Sequence, residues 1–288
     1  MIISIASGKG GTGKTTVAVN LALSFESMET GNAQLLDCDV EEPNCHLFLN
    51  TGIEKTETVY TPVPEIDKDK CSFCHKCVDI CRFNVIALAG KTVLTFPELC
   101  HSCGGCMAVC PEDAITEVGR EIGVTKQTRV KNLDFVYGCL RVGEAMSPPL
   151  IQKVRSFIQP DKINIIDAPP GTSCPVIAAM NNTDFVLLVT EPTPFGLHDL
   201  KLAVEAVKIL GIPHGLVINR SDMGDTKVQE YAKQENIPIL LKIPFDRRIA
   251  QAYSKGIPIV EQMPEWKEKF LNLYSDIKKI TDKGAEKR

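Results

Sequence analysis

Two groups of residues in this 288-residue chain have types and spacings that can do chemistry. Eight of its twelve cysteines lie between Cys71 and Cys110, in two runs: Cys71-x-x-Cys74-x-x-Cys77-x-x-x-Cys81 and Cys100-x-x-Cys103-x-x-Cys106-x-x-x-Cys110-Pro111. Thiols so closely grouped are metal ligands where the compartment keeps them reduced, and disulfides where it does not. The second group is Gly8-Lys9-Gly10-Gly11-Thr12-Gly13-Lys14-Thr15-Thr16, which satisfies G-x-x-x-x-G-K-[ST]. In such a loop the glycines let the main chain approach phosphates without a Cβ clash. Its amides and the N-terminus of the following helix converge on one anion. Lys14 then neutralises the β- and γ-phosphates, and Thr15 offers its hydroxyl to Mg²⁺.

Each cysteine run resembles the bacterial ferredoxin spacing, in which the fourth cysteine ligates the other cluster. The resemblance implies one [4Fe–4S] cluster on Cys71, Cys74, Cys77 and Cys110, and another on Cys100, Cys103, Cys106 and Cys81. The runs repeat at about 29 residues, as a two-cluster module requires. Zinc is the alternative metal, although paired zinc sites favour separated CxxC couples. Arg82 stands where the motif prefers proline, whereas Pro111 keeps it. That departure bears on the potential or exposure of one cluster, not on its ligands. Low-potential one-electron chemistry is the expectation for such a module.

The glycine loop carries a second lysine, Lys9, and Gly-Lys-Gly-Gly-Thr-Gly-Lys-Thr-Thr resembles the deviant Walker A motif of the MinD/ParA/nitrogenase iron-protein superfamily. The resemblance implies ATP hydrolysis in a nucleotide-sandwich homodimer, with Lys9 reaching the partner's ATP. It assigns Asp39, in Leu35-Leu36-Asp37-Cys38-Asp39, to positioning the attacking water. Asp167, in Asp167-Ala168-Pro169-Pro170-Gly171, would sit near magnesium, with the Gly171 amide sensing the γ-phosphate. Asn219 would read the adenine edge, and Pro244 would help wall the base. Catalytic roles thus fall on Lys9, Lys14, Asp39 and Asp167, and nucleotide contacts on Gly8, Gly10, Gly11, Thr12, Gly13, Lys14, Thr15, Thr16, Gly171, Asn219 and Pro244.

The remaining thiols, Cys38, Cys45, Cys139 and Cys174, form no CxxC pair, so the C-terminal pair of Mrp-type iron–sulfur carriers is missing. A two-fold dimer could bring Cys139 or Cys174 pairs around a shared metal, but a free cysteine is the commoner condition.

Positioning these residues requires an α/β fold. Apolar β-branched runs alternate with helical patterns, as in a mostly parallel sheet flanked by helices. Strands are expected at Ile2–Ala6, Gln34–Asp37, Ile163–Asp167, Phe185–Thr190, Gly215–Asn219 and Pro238–Lys242. Helices are expected at Thr15–Ser27, Leu197–Leu210 and Lys227–Glu235. The cysteine window interrupts this rhythm, giving a discontinuous nucleotide domain (1–64 and 119–288) and an inserted two-cluster module (65–118). Residues 123–149 yield no clear element. Glu265–Thr281 carries Trp266, Phe270, Leu273, Tyr274 and Ile277 at helical spacing, as for packing on the sheet. MinD ends in a membrane-targeting helix, and here core packing is the favoured reading.

The formal charge is −4 with pI near 5.8, and the basic residues are dispersed, which argues against nucleic acid as a partner. No apolar run approaches the ~20 residues that cross a bilayer, and the N-terminus lacks a secretory pattern. A cytoplasmic protein without stable membrane association is expected. The leading functional expectation is a homodimeric ATPase that binds ATP, Mg²⁺ and two [4Fe–4S] clusters and gates electron transfer to a redox or metallocofactor client. The alternative is an iron–sulfur or metallocofactor assembly or delivery ATPase. A positioning switch with oxygen-sensing clusters is a third class. ATP-dependent amidation, a fourth, would need a glutaminase domain for which no residues are expected to remain.

Overall fold

Ile2-Ile3-Ser4-Ile5 and Ile163-Asn164-Ile165-Ile166 are apolar nearly throughout, the pattern of strands covered on both faces of a parallel sheet. They lie side by side at the centre of the computed structural model, which describes residues 1–25, 32–52 and 54–285. The strands are β1 (Ile2–Ala6), β2 (Ala33–Asp37), β3 (Lys55–Ile66), β4 (Ile86–Ala89), β5 (Thr92–Thr95), β6 (Ile115–Val130), β7 (Leu133–Leu140), β8 (Ile163–Asp167), β9 (Phe185–Thr190), β10 (His214–Asn219) and β11 (Ile239–Ile243). The helices are α1 (Lys14–Ser24), α2 (Lys76–Ile80), α3 (Gly105–Ala108), α4 (Pro148–Arg155), α5 (Cys174–Met180), α6 (Pro194–Ile209), α7 (Lys227–Gln234), α8 (Arg247–Ser254), α9 (Ile259–Gln262) and α10 (Glu265–Ala285).

The main sheet has nine strands in the order β11-β10-β9-β1-β8-β2-β7-β6-β3. From β11 to β7 every pairing is parallel, and β6 and β3 then add antiparallel to one edge. The expected strands are all present, with ends moved by at most a residue. The first expected helix corresponds to α1, and residues 26 and 27 of that expectation lie outside the described residues. The stretch 123–149 that gave no clear element holds the end of β6, all of β7 and the start of α4. Its pattern was weak because the buried residues of β6 in that stretch, Gly123 and Thr125, are not large and apolar, and β7 is buried on both faces over most of its length, leaving no alternation to read.

One apolar core lies on each face of the sheet. On one side α1, α9 and α10 cover Ile3, Ile5, Leu35 and Phe135, with Trp266, Phe270, Leu273 and Ile277 of α10 buried there. On the other, α4 to α7 cover Leu36, Val136, Ile166 and Leu188. Among the described residues no helix is long and apolar enough to cross a membrane.

Beyond the edge of the sheet, β3 and β6 continue as a two-stranded ribbon paired from Lys55–Gln127 to Ile66–Ile115. The cysteine segment sits on its tip, with the β4–β5 hairpin, α2 and α3 around a separate small core of Val85, Ile86, Val93 and Ile115. Both ribbon strands pass without interruption through 64/65 and 118/119, where the sequence divides the two domains. The chain's two halves share a continuous backbone hydrogen-bond ladder.

Candidate functional site

β1 ends in the glycine loop, and α1 begins at Lys14, so the loop's amides and the helix N-terminus face one cavity of about 430 Å³. Gly10, Gly11, Gly13, Lys14, Thr15 and Thr16 line one side, and Asp39, Glu42 and Asn44 line another. Asn219, Pro244, Phe245 and Tyr253 form an end wall. The loop's shape depends on two glycines in particular. A Cβ on Gly8 would overlap the Asp199 backbone of α6. Gly13, at φ +98°, would bring one within 2.6 Å of the Asn219 amide nitrogen. Gly8, Lys9, Thr12, Asp167 and Gly171 do not line the cavity.

At its base, Thr15 Oγ1 donates to Asp167 Oδ2 at 2.6 Å, and the Cys45 thiol lies 3.5 Å from the same oxygen. Asp167 is fully buried, and its Oδ1 has no hydrogen-bond partner among the described residues. Asp37 accepts the amides of Asp39, Asn44 and Cys45 at 3.0–3.1 Å, so it shapes the loop that aims Asp39. Burial raises the pKa of Asp37, Asp39 and Asp167; Lys14 opposes the rise at the last two, and Asp39 reaches about 7. Three crowded carboxylates beside a buried lysine, with one oxygen unpaired, fit a divalent cation as well as a phosphate chain.

The Gly171 amide donates to the Ser7 carbonyl at 3.0 Å. Asn219 uses both ends of its side chain, donating to Thr12 O at 2.9 Å and accepting from the Arg220 amide at 3.0 Å. It therefore braces the glycine loop while flanking the cavity. Lys9 is half-buried, and its carbonyl accepts the Ser7 hydroxyl at 2.6 Å. The sequence reading missed Glu42, Asn44 and Tyr253. The amphipathic pattern of α8 was available as a signal for Tyr253, but nothing local marks the other two.

The eight thiols fall into two cavities. Cys71, Cys74, Cys77 and Cys110 line one, and Cys81, Cys100, Cys103 and Cys106 line the other. Four sulfurs around one zinc at 2.3 Å would stand about 3.8 Å from each other. Among the described residues no three of these sulfurs converge within 4.8 Å; the group that does is Asp37, Cys45 and Asp167. The wider cages fit a metal–sulfide cube. Left-handed backbone recurs at matching places in the two repeats, at Phe73 and Ser102, His75 and Gly104, and Asn84 and Asp113. Such turns aim successive amides inward, as anion-cradling nests do. Amides of Val85 and Ala114, again equivalent, donate to Cys81 and Cys110 sulfurs at 3.4 Å. Cys139 and Cys174 are exposed.

The chain matches the family model of the CobQ/CobB/MinD/ParA nucleotide-binding domain over residues 3–259. A protein of uncharacterised function from Methanocaldococcus jannaschii is 33% identical over 261 residues, covering 89% of this chain and 90% of its own. An iron–sulfur cluster carrier protein of the same organism is 26% identical over 302 residues, covering 99% and 86%. Among solved structures, the septum site-determining protein MinD of Pyrococcus horikoshii with Mg-ADP superposes with a TM-score of 0.59 at 23% identity, covering 96% of this chain and 95% of that one.

Proposed function

The chain belongs to the CobQ/CobB/MinD/ParA nucleotide-binding family, and from that premise we propose that it is an ATP-hydrolysing iron–sulfur protein whose nucleotide state governs a two-cluster module. One observation carries this reading. β2, which ends at Asp37, pairs with β7, β7 with β6, and β6 with β3, so a single ladder runs from the nucleotide cavity to the cysteine cages. A sheet edge that carries a ligand-binding module transmits a shift at the site more directly than a flexible linker would.

In this reading residues 1–64 and 119–288 bind ATP, and 65–118 hold the clusters on Cys71, Cys74, Cys77 and Cys110 and on Cys81, Cys100, Cys103 and Cys106. Gly10, Gly11 and Gly13 and the start of α1 hold the phosphates, and buried Lys14 offsets their charge. Thr15 and Asp167 would hold Mg²⁺, whose part is to neutralise charge between the β- and γ-oxygens. Asp39 orients the attacking water and accepts its proton, a role matched by a pKa of about 7. The Ser7 carbonyl holds the Gly171 amide until a γ-phosphate competes for it. Lys9, which does not line its own cavity, serves the ATP of a second copy in a homodimer. Pro244, Phe245 and Tyr253 wall the base. The clusters supply low-potential one-electron transfer when bound, and the client is a redox or metallocofactor protein.

If nucleotide changes the clusters' redox equilibrium, reduction must change nucleotide affinity by the same factor. Anaerobic calorimetry of the full chain with MgATP should therefore give different dissociation constants for the oxidised and the dithionite-reduced protein. Equal constants would overturn the coupling.

A second reading has its own support, because relatives named as iron–sulfur cluster carriers align with nearly the whole chain. In it the clusters are cargo, and ATP hydrolysis times delivery. Transfer of labelled iron from the loaded protein to an apo-acceptor would favour it, and full retention of iron would count against it.

A further inference from the structure

Arg120 and Glu144 form an ion pair whose side chains are 10% and 1% exposed, at a place where most neighbouring residues are exposed. Arg120 Nη2 also donates to Glu144 Oε1 at 3.2 Å, and the Met146 amide donates to the same oxygen at 3.0 Å. Burying two charges together costs desolvation that hydrophobic residues would not incur, so such a pair invites a reason beyond stability. Its two ends supply one.

Arg120 belongs to the ribbon and pairs with Thr61. Thr61 Oγ1 lies 2.8 Å from Ser102 Oγ, the Ser102 hydroxyl also reaches the Pro62 carbonyl at 2.6 Å, and the Ser102 amide donates to the Cys100 sulfur at 3.4 Å. The second cysteine loop is therefore fastened to the ribbon opposite Arg120. The cavity of Cys81, Cys100, Cys103 and Cys106 also includes Pro62, Pro64 and Glu117, further down the ribbon than Ile66, Ala114 and Ile115 beside the other cage. One cluster site is proximal to the nucleotide half, and one is distal. Glu144 first, and after it Glu98 and Cys100, hold the Arg120 pKa up against the burial that lowers it, which puts the guanidinium within electrostatic reach of the proximal cage. Its Nε is buried without a partner among the described residues.

Glu144 belongs to the segment between β7 and α4, and that segment is tied to the nucleotide cavity. The Leu140 amide donates to Val40 O at 2.8 Å, directly after Asp39, and Ser147 Oγ donates to Glu41 Oε1 at 2.9 Å. The Arg141 amide returns to the ribbon at Ile122 O, 2.9 Å away. A shift of residues 39–41 would strain these two hydrogen bonds to 140–147, the segment that carries the carboxylate neutralising Arg120.

We propose that the Glu144–Arg120 pair is the positioning element through which the nucleotide site sets the reduction potential of the proximal cluster, leaving the distal one unchanged. The proposal rests on the coupled function given above. A cluster gains negative charge on reduction, and its potential follows nearby charge and hydrogen bonds to its sulfurs. A neutralised Arg120 favours the oxidised state; an Arg120 released from Glu144 favours the reduced one.

The test is an anaerobic EPR-monitored redox titration of the full-length, cluster-loaded chain, with and without MgATP, in the wild type, Glu144→Gln and Ser147→Ala. Cys103→Ser assigns the proximal signal. In the wild type one midpoint, the proximal one, should move with MgATP. Glu144→Gln should raise that midpoint in both states and abolish the movement. Ser147→Ala, which leaves the ion pair intact, should keep the wild-type midpoint without nucleotide and shrink its response. A Glu144→Gln protein that responds like the wild type overturns the ion pair's role while the coupled function stands. A wild type whose two midpoints both ignore nucleotide overturns the function and this inference together.

Discussion

The two halves of the molecule are built by opposite means. The nucleotide half has an apolar core on each face of its sheet, and its cavity is shaped by the fold's own contacts, down to the braced Asn219 and the buried Lys14. The cysteine half has a core of Val85, Ile86, Val93 and Ile115, around which six of its cysteines are partly buried while Cys74 and Cys103 are exposed. Each ordered residue costs ~1–2 kcal/mol of backbone entropy, whereas a fully buried aliphatic side chain returns ~1.5–3 kcal/mol. Few side chains of 67–114 are fully buried, and in the function proposed above metal–thiolate bonding would add to what this small core supplies, since metal binding is folding free energy in such modules. In the function proposed above, one half is a scaffold that accepts a ligand, and the other is organised by its ligand.

The largest effect expected from this contrast follows removal of iron. Chelation under reducing conditions should open 67–114 to protease while 1–52 and 133–285 keep their protection, as read by limited proteolysis with mass spectrometry. Uniform loss across the chain would break the contrast. Next in size, Lys14→Ala should lower ATP hydrolysis by roughly 10²–10³-fold and leave the iron and sulfide content unchanged. Iron lost along with hydrolysis would mean the halves do not fold separately. Phe135→Ala, which empties a fully buried site on β7, should cost ~3–5 kcal/mol in denaturant unfolding of the nucleotide half.

A pH effect comes next. Asp39 sits at about 7 in the folded chain against an ordinary 3.8, and Asp37 and Asp167 are raised as well. A raised carboxylate stabilises the fold fully only below its unfolded value and loses that contribution as pH rises through the folded one. The melting temperature of the nucleotide-free chain should therefore fall between about pH 4 and pH 7, and Asp39→Asn should flatten part of that fall. The acid limb of kcat/KM for hydrolysis should have its midpoint near the Asp39 value of about 7. The smallest effect is at the junction. Ser102→Ala removes two hydroxyl contacts to the ribbon and should cost ~1 kcal/mol, read as faster amide exchange in 100–106 with little change in 71–77.

The same contrast explains what the sequence made legible. The glycine loop and both cysteine runs are local patterns set by spacing; the nucleotide cavity gathers Gly10, Gly11, Gly13, Lys14, Thr15 and Thr16 but not Gly8, Lys9 or Thr12, and the cysteines fall into two groups of four. The parallel strands were legible because they are apolar on both faces. β6 and β7 were not, because the ribbon part of β6 leaves the core with no hydrophobic period and β7 mixes Asp134, Gly138 and Cys139 into an otherwise buried run. Asp37 bracing the Asp39 loop, Asn219 holding Thr12, and Arg120 meeting Glu144 across the junction are products of tertiary placement, with partners 24 or more residues away in the last two cases. No window along the chain shows them.

The most direct test is amide hydrogen exchange of the anaerobic, cluster-loaded full chain with and without MgATP. If one sheet joins the two sites, exchange should change not only at 8–16, 37–48 and 167–174 but also at 115–126 and 140–147 and into the 100–106 loop. A change confined to the nucleotide cavity, with the ribbon and the cysteine loops unaltered, would contradict the account.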